Sequence, residues 1–536
     1  MTTNEATPPV AVAAAPDDEA STGAKGKYLV LAAMIFAVSM TFIDMTIVSI
    51  AIPEIQSELH LSSTGVQWVV NAYLLSLAAL FAFGGRLGDI VGHKRMVLLG
   101  TVVFAVASAM NGLTPIGGAA EAWMITFRAL QGLGAALMFP AALAIVVQSF
   151  PFRERGRAMA VFFGVAGGLT AVGPLLGGYL SAWTWRSIFW VNIPVAIVAV
   201  VLTLKSKPID RYTEAKLDYV GLLLIVAGMG LSVLGLQQAS VWGWSSPATW
   251  GSIAVGLGFL VLFFVYELRT ASPLIQVRIF RVRAFLVENM VLFTIMIVFV
   301  PVFFFASMYS QISLGFTSSN AGLYLLCFFS GFAPAAQVGG RMLDKQGAKP
   351  AVVLGCLVSA IGFALWASKM TDLDGGLGAQ WPFIVIAGAG MGLLLGPANT
   401  DAINRAPDTS YGEATGVTQT VRNYGSSLGM AVLGTILITL NRSNIESSLG
   451  ALGVPKSAAD GVAQSLSQSG GGSSSGMPSS VPAAEAQKIF HAVQLDFAES
   501  SKAVFFVMAG VMAVAGVIAL LGLQRGRQEG VVEAGG

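Results

Sequence analysis

An aspartate, Asp44, stands inside the first of many long apolar stretches, and an arginine, Arg128, stands inside the fourth. A charged side chain at the centre of a bilayer costs several kcal/mol unless it is paired, protonated or wetted, so such residues mark ion and substrate pathways. The chemistry open to this pair is reversible protonation. Low-dielectric surroundings penalise the charged form of any carboxyl, and a neighbouring guanidinium opposes that penalty. Asp44 lies about eight residues from the far end of its stretch, roughly 12 Å at the helical rise, and Arg128 lies at nearly the same level. Two readings stand: a relay in which Arg128 holds Asp44 in one state and releases it in another, or a permanent structural pair. Arg422, near the middle of the thirteenth stretch, is a candidate for orienting substrate or holding a carboxylate. Glu288 is about one turn into the ninth stretch, near Arg281 and Arg283, which predicts an interfacial salt bridge; work on substrate or protons is the alternative, and Asp401 shares that ambiguity. Met138 and Phe139 are candidates for an adaptable apolar cavity, although most residues of their type face lipid or partner helices.

Other chemistries find no support. Three histidines (His60, His93, His491) and two cysteines (Cys327, Cys356) are too dispersed for a metal site, so no metal is expected. No phosphate loop of the GxxxxGK[ST] kind occurs, which leaves ATP without a recognisable site and points to an ion gradient, with no cofactor. A net charge of +2 leaves no nucleic-acid footprint. No Ser/His or His/Asp constellation sits where an enzyme would need it, so no catalytic residues are assigned and the chain does not read as an enzyme.

The elements that must position these residues are membrane helices. The 536 residues are 55% hydrophobic and only 11% charged, against about 25% charged in soluble domains. The apolar stretches are about 20 residues long, the length that crosses a hydrocarbon core of roughly 30 Å, and about fourteen are found. Approximate limits are 28–52, 66–84, 96–115, 121–149, 157–182, 186–204, 217–238, 249–268, 284–309, 319–340, 350–369, 381–403, 411–440 and 502–524. With the N-terminus inside, about 22 of the 30 basic residues fall in inner loops, and both termini are expected in the cytoplasm of a bacterial-type inner membrane. Residues 1–26 read as a disordered cytoplasmic tail rather than a signal peptide. Residues 27–205 form a first six-helix bundle, 206–283 hold two inserted helices with their flanking loops, 284–524 form a second six-helix bundle, and 525–536 form a cytoplasmic tail. The external loop at 441–501 contains the Gly/Ser run Ser469 to Ser475 and reads as flexible, with a short amphipathic stretch (Ile489, Phe490, Val493, Phe497) suited to lying on the outer membrane surface.

The segment from Gly84 to Lys94 (GGRLGDIVGHK) recurs without a gap from Gly339 to Lys349 (GGRMLDKQGAK). One copy joins spans 2 and 3, the other spans 10 and 11. Two repeated halves with a site between them is the common plan of secondary transporters.

At this point the chain resembles the major facilitator superfamily, in particular its fourteen-helix drug:proton antiporter branch. Gly85–Arg95 is similar to the superfamily loop signature G-x-L-x-D-x-x-G-x-[RK]-[RK], with His93 at its variable position. Asp44-Met45-Thr46-Ile47-Val48 with Ala51-Ile52-Pro53 resembles the branch signature D-x-T-I-V…A-[LI]-P. Arg128 to Gly134 resembles R-x-x-Q-G-x-G. Gly164, Gly168, Gly173-Pro174 and Gly177-Gly178 match the antiporter-helix pattern G-x(3)-G-x(4)-G-P-x-x-G-G.

The resemblance implies an all-α membrane protein of the major-facilitator fold, with two six-helix bundles plus two inserted helices. It also implies alternating access, with inward proton flux coupled to export of small hydrophobic or amphipathic compounds. Export of a dedicated natural product or a lipid by the same machinery is the alternative; a non-transporting sensor or enzyme lacks the extra domain or residue cluster it would need. Protons, a small-molecule cargo and the bilayer are the expected partners of a functional monomer. Gly85, Asp89, Gly92 and Arg95, with the matched Asp344, are candidates for a cytoplasmic gate, and simple positive-inside anchoring is the competing reading for the basic residues. Gly168, Gly173, Pro174 and Gly177 suit either a pliable seam or plain small-residue packing.

Overall fold

A computed structural model describes residues 24–150, 152–206, 217–405, 411–451 and 483–526. Every regular element in it is a helix. The first half contains α1 (Ala24–Leu59), α2 (Ser63–Val91), α3 (His93–Gly112), α4 (Ala120–Ser149), α5 (Phe152–Ser181) and the consecutive pieces α6 (Ser187–Trp190) and α7 (Asn192–Lys205). Then come α8 (Tyr219–Trp242) and α9 (Pro247–Glu267). The second half contains α10 (Arg283–Ile312), α11 (Ser318–Gln346), α12 (Ala348–Lys369), α13 (Gly376–Asn404), α14 (Tyr411–Ala451) and α15 (Ala483–Gly522). Among the described residues, thirteen runs are long and apolar enough to cross a membrane, with α6 and α7 counted as one. The 30-residue α5 brings the number of long helical elements to the expected fourteen.

The two halves repeat one another in packing as well as sequence. In the first, α2 and α3 pack on α4, α1 on α5, and α3 on α7; in the second, α11 and α12 pack on α13, α10 on α14, and α12 on α15. Close approach explains the repeated glycines. A Cβ on Gly84 would collide with the Ala136 carbonyl of α4, and one on Gly339 with the Leu393 carbonyl of α13. The same holds for Gly100 against Gly134 and Gly355 against Gly390. The turns repeat too: Gly92 (φ 107°) and Gly347 (φ 84°) each close one helix and open the next within a single residue, a backbone that a Cβ strains. Ser62 and Thr317 cap the N-termini of α2 and α11 by accepting from the amides of Gly65 and Asn320.

The last lysine of each repeat has a plain structural duty. Lys94 Nζ donates to the Ser206 carbonyl (3.1 Å) just past α7, and Lys349 Nζ donates to the Leu523 carbonyl (2.9 Å) just past α15. Each places a cation on orphan carbonyls at a helix C-terminus, where the dipole favours it.

The bundles meet through α2 with α14, α5 with α11, and α1 with α10. The inserted α8 leans on both α2 and α14: Ser232 Oγ and Tyr424 OH share a hydrogen bond of 2.7 Å, Thr435 Oγ1 donates to the Leu236 carbonyl (2.8 Å), and Asn71 and Gln237 join their amides. Its partner α9 turns Leu257, Val261 and Leu262 outward.

The expected external loop at 441–501 is corrected at both ends, since α14 runs on to Ala451 and α15 begins at Ala483. The stretch around Ile489, Phe490, Val493 and Phe497 does not lie apart on a surface; it is the continuous start of α15. It stands against an equally extended α14, with Ser448 Oγ donating to Asp496 Oδ1 (2.7 Å) and Asn444 Nδ2 donating to Ser500 Oγ (3.0 Å). Val493 and Phe497 are buried. The polar residues of this stretch are partners in a helical hairpin, which its amphipathic pattern alone does not distinguish from a surface helix. The Ser469–Ser475 run and all but the last three residues of the 1–26 tail lie outside the described residues.

Gly339 and its neighbour Gly340 give a direct check, because a Cβ at Gly340 meets nothing. Gly339→Ala is expected to lower the thermal unfolding temperature in detergent, at a cost of about 1–3 kcal/mol for overpacking, while Gly340→Ala leaves it unchanged or slightly raised.

Candidate functional site

Asp44 on α1 and Arg128 on α4 are brought into direct contact, with Arg128 Nη1 2.6 Å from Asp44 Oδ2; the two side chains are 0% and 1% exposed. Gln131, one turn along α4 from Arg128, completes the arrangement. Its Nε2 donates to Asp44 Oδ1 (2.9 Å), and its Oε1 accepts from Arg128 Nη1 (2.8 Å) and from Asn111 Nδ2 (3.2 Å). Arg128 Nε donates to the Val69 carbonyl (2.8 Å), and the guanidinium lies 4.6 Å from the centre of the Tyr73 ring. Both oxygens of Asp44 therefore accept from N–H donors, the donor set of an ionised carboxylate. Arg128 keeps three further partners that do not depend on Asp44.

The antiporter-helix residues press on the same part of α1. A Cβ at Gly173 would meet the Thr46 hydroxyl, and one at Gly177 would sit 3.0 Å from the Ile47 carbonyl. Thr46 Oγ1 donates to the Thr170 carbonyl of α5 (3.0 Å). Pro174 exposes its carbonyl to Gly322 of α11, so one face of α5 touches α1 and another touches the opposite bundle. Gly168 belongs to α5, and its surroundings lie outside the description.

A cavity lies between the bundles, next to the pair but not containing it. Phe42, Phe81 and Phe139 line it from the first half. Phe299, Phe303, Phe329 and Phe332 line it from the second, with the Phe303 and Phe329 rings stacked 5.2 Å apart. Met45 and Thr46 flank Asp44 on α1 and also reach the cavity. The single charged side chain in its wall is Arg422. Arg422 Nη1 donates to Asn399 Oδ1 (3.0 Å) and Gln419 Oε1 (2.9 Å), and Nε has no acceptor.

Two of the cavity candidates are elsewhere. Met138 is fully buried against α3, where its Sδ accepts from Thr101 Oγ1 (3.1 Å), because the turn of α4 that presents Phe139 to the cavity points Met138 the other way. Glu288 is also fully buried and does not pair with Arg281 or Arg283. It faces Asp401, whose Oδ2 accepts from Arg405 Nε at 2.7 Å. Sequence proximity to Arg281 and Arg283 misleads here, since Arg281 lies before α10 and Arg283 is its first residue, whereas Glu288 turns inward to α13.

On the gate loop, Asp89 Oδ1 lies 3.5 Å from Nε2 of His93 on the neighbouring α3, and its side chain is 44% exposed. Gly85 sits beside Pro140 of α4, Gly92 is the turn residue, and Arg95 and Asp344 are exposed. Among the described residues the bundles are joined elsewhere. The bonds between them lie toward the opposite end, where Gln311 Nε2 donates to the Ile50 carbonyl (2.9 Å), Ser319 Oγ donates to the Gly178 carbonyl (3.0 Å), Ser318 Oγ donates to Glu54, and Ser427 Oγ donates to Asn71. The molecule is therefore closed at its Glu54 end.

Gln131 stands in the sequence only as the glutamine of the R-x-x-Q-G-x-G pattern, without a role, and Gln419 and Asn399 are not singled out there. Gln131 and Gln419 each stand three positions from a membrane arginine, a spacing that puts them on the same helical face. Asn399 carries no such signal, being brought to Arg422 from another helix.

Removing one member of the buried pair leaves the other uncompensated. Arg128→Gln is expected to lose about 3–5 kcal/mol of stability. The double variant Asp44→Asn with Arg128→Gln, which leaves two neutral hydrogen-bonding side chains, is expected to recover a large part of it. Denaturant unfolding of the purified single and double variants measures the coupling.

Residues 34–430 match the family model described as Major Facilitator Superfamily. A tetracenomycin C resistance and export protein of Streptomyces glaucescens is 33% identical over 421 residues, 78% of this chain and 77% of that relative. A cephamycin export protein of Amycolatopsis lactamdurans is 34% identical over 409 residues, 73% of this chain and 81% of the relative. Among solved structures, a bacterial homologue of the human lysosomal transporter Spinster, in an inward-facing and unoccupied conformation, superposes with a TM-score of 0.59 over 94% of this chain and 98% of its own, at 16% identity.

Proposed function

The chain belongs to the Major Facilitator Superfamily, and on that premise we propose that it exports small hydrophobic or amphipathic compounds in exchange for protons, by alternating access. It is a multi-span membrane transporter. In the proposed arrangement both termini face the cytoplasm, as the basic residues direct, and the Glu54 end faces outward. Residues 27–205 and 284–524 are the two rocking bodies, with 206–283 riding between them. The protein works as a monomer, without a cofactor, on the proton gradient alone.

The observation that carries this reading is the buried Asp44–Arg128 contact sealed beside an apolar cavity. In the outward-closed conformation Asp44 has given up its proton and is held by Arg128 and Gln131. Separating the pair with Asp44 still charged would strand a carboxylate in a low-dielectric interior at a cost of several kcal/mol. A proton on Asp44 removes that cost, and Arg128 retains Val69, Gln131 and the Tyr73 face as partners. Protonation from outside thus permits the rearrangement that cargo release requires, and deprotonation toward the inside resets it. The α5 glycines against Ile43–Ile47 transmit the change from the Asp44 segment to the bundle interface.

A second reading, a dedicated exporter of one natural product, is supported by the export roles that two relatives carry in their names. It shares the machinery and differs only in breadth, which a deletion strain profiled against many toxic compounds separates.

In proteoliposomes with an imposed pH gradient, the wild-type protein is expected to move a lipophilic fluorescent dye against its concentration gradient. Asp44→Asn, checked for an intact melting transition, is expected to lose this response to the gradient. Undiminished gradient-driven movement in Asp44→Asn contradicts the proposal.

A further inference from the structure

The cavity wall poses an electrostatic question that proton coupling does not answer. Arg422 is a cation in an otherwise uncharged, phenylalanine-rich wall, and no carboxylate pairs with it among the described residues. Two acids on the packed helices α10 and α13 are engaged elsewhere: Asp401 is bound by Arg405, and Glu288 faces Asp401. A guanidinium set among apolar rings favours a counter-charge, and neutral amide oxygens from Asn399 and Gln419 supply only part of it.

The way Arg422 is held is also directional. Both hydrogen bonds go to Nη1, which fixes the plane of the group. The opposite edge, Nε and Nη2, has no acceptor among the described residues, and Nε is buried without one. That edge is the planar two-donor fork that takes an oxyanion through two parallel hydrogen bonds. Phe299, Phe332 and Phe42, lining the same space, offer flat apolar surface for an aromatic body.

We propose that the cargo recognised in this cavity is an aromatic anion, its carboxylate, sulfonate or phenolate seated on the free Nε–Nη2 edge of Arg422 and its rings packed among the phenylalanines. The inference rests on the transport reading above and narrows its cargo. Arg422 is a specificity-determining residue, separate in role from the Asp44–Arg128 pair in the first bundle. A charge-assisted bond of this kind contributes a preference of roughly 10- to 100-fold.

The test uses anthracene-2-sulfonate, a permanent anion, and the neutral anthracene-2-sulfonamide of nearly equal shape. Their binding to the full-length protein in phosphatidylcholine nanodiscs is read by fluorescence without any gradient. The wild type is expected to prefer the sulfonate roughly 10- to 100-fold. Arg422→Gln should abolish that preference while leaving sulfonamide affinity within about two-fold, and Arg422→Lys should restore part of it.

Equal loss of both probes in Arg422→Gln with an unchanged melting transition, or no wild-type preference, overturns the proposal. Repeating the measurement in phosphatidylglycerol nanodiscs separates cargo from lipid. Retained sulfonate preference supports an aromatic cargo; its disappearance shows that a lipid phosphate occupies Arg422 and overturns it. Because no gradient is applied, failure of proton coupling in proteoliposomes would leave this result standing, and the two ideas fail separately.

Discussion

Holding a carboxylate and a guanidinium together away from water, inside one bundle of a membrane protein, sets the terms for much of the surrounding structure. Neither charge tolerates separation in that environment, so α1 and α4 must stay in register to within a hydrogen bond. Gln131, the Val69 carbonyl and the face of Tyr73 take up the donors and charge that Asp44 alone leaves unsatisfied. The close approach of α5 to α1 at Gly173 and Gly177 fixes the segment of α1 that carries Asp44. The site is consequently held from several sides, and the proposed proton on Asp44 is the variable that would release it.

The second bundle shows what the same architecture does without that charge. At its far end Gln380 Nε2 donates to Tyr309 OH (2.7 Å), while Gln380 Oε1 accepts from Tyr324 OH (2.6 Å) and Trp366 Nε1 (3.3 Å). This buried network joins α10, α11, α12 and α13 entirely through neutral groups. At this end the helix pair α10 and α13, which corresponds in packing to α1 and α4, is tied by an amide and a phenol; at its other end Glu288 of α10 faces Asp401, which Arg405 binds. The halves are alike in glycine contacts, turns and lysine caps, and unlike in charge. In that asymmetry the first bundle holds the Asp44–Arg128 pair and the second contributes Arg422 to the cavity.

Much of this organisation is legible in the sequence. Apolar length gives the number of long helices because the bilayer sets the length of a span. The repeated GGR…D..G.K frame announces the two halves, since glycine is required wherever Gly84 and Gly339 meet a facing carbonyl. Asp44 and Arg128 stand out because charges are costly in apolar stretches, and equal depth suffices to pair them. The remainder depends on helix rotation. A one-residue step along α4 separates Phe139, in the cavity, from Met138, against α3. Glu288 points to α13 rather than to nearby arginines for the same reason. The extended hairpin of α14 and α15 is hidden because its helices run on past the apolar stretches with polar contacts of their own.

The central claim is that Asp44 takes up and loses a proton inside its bundle, and infrared difference spectroscopy of the purified protein observes that event directly. Between high and low pH, the wild type is predicted to gain a protonated-carboxyl C=O stretch that is missing from Asp44→Asn and displaced in Arg128→Gln. A spectrum in which Asp44→Asn shows the same band as the wild type across the whole pH range would contradict the account.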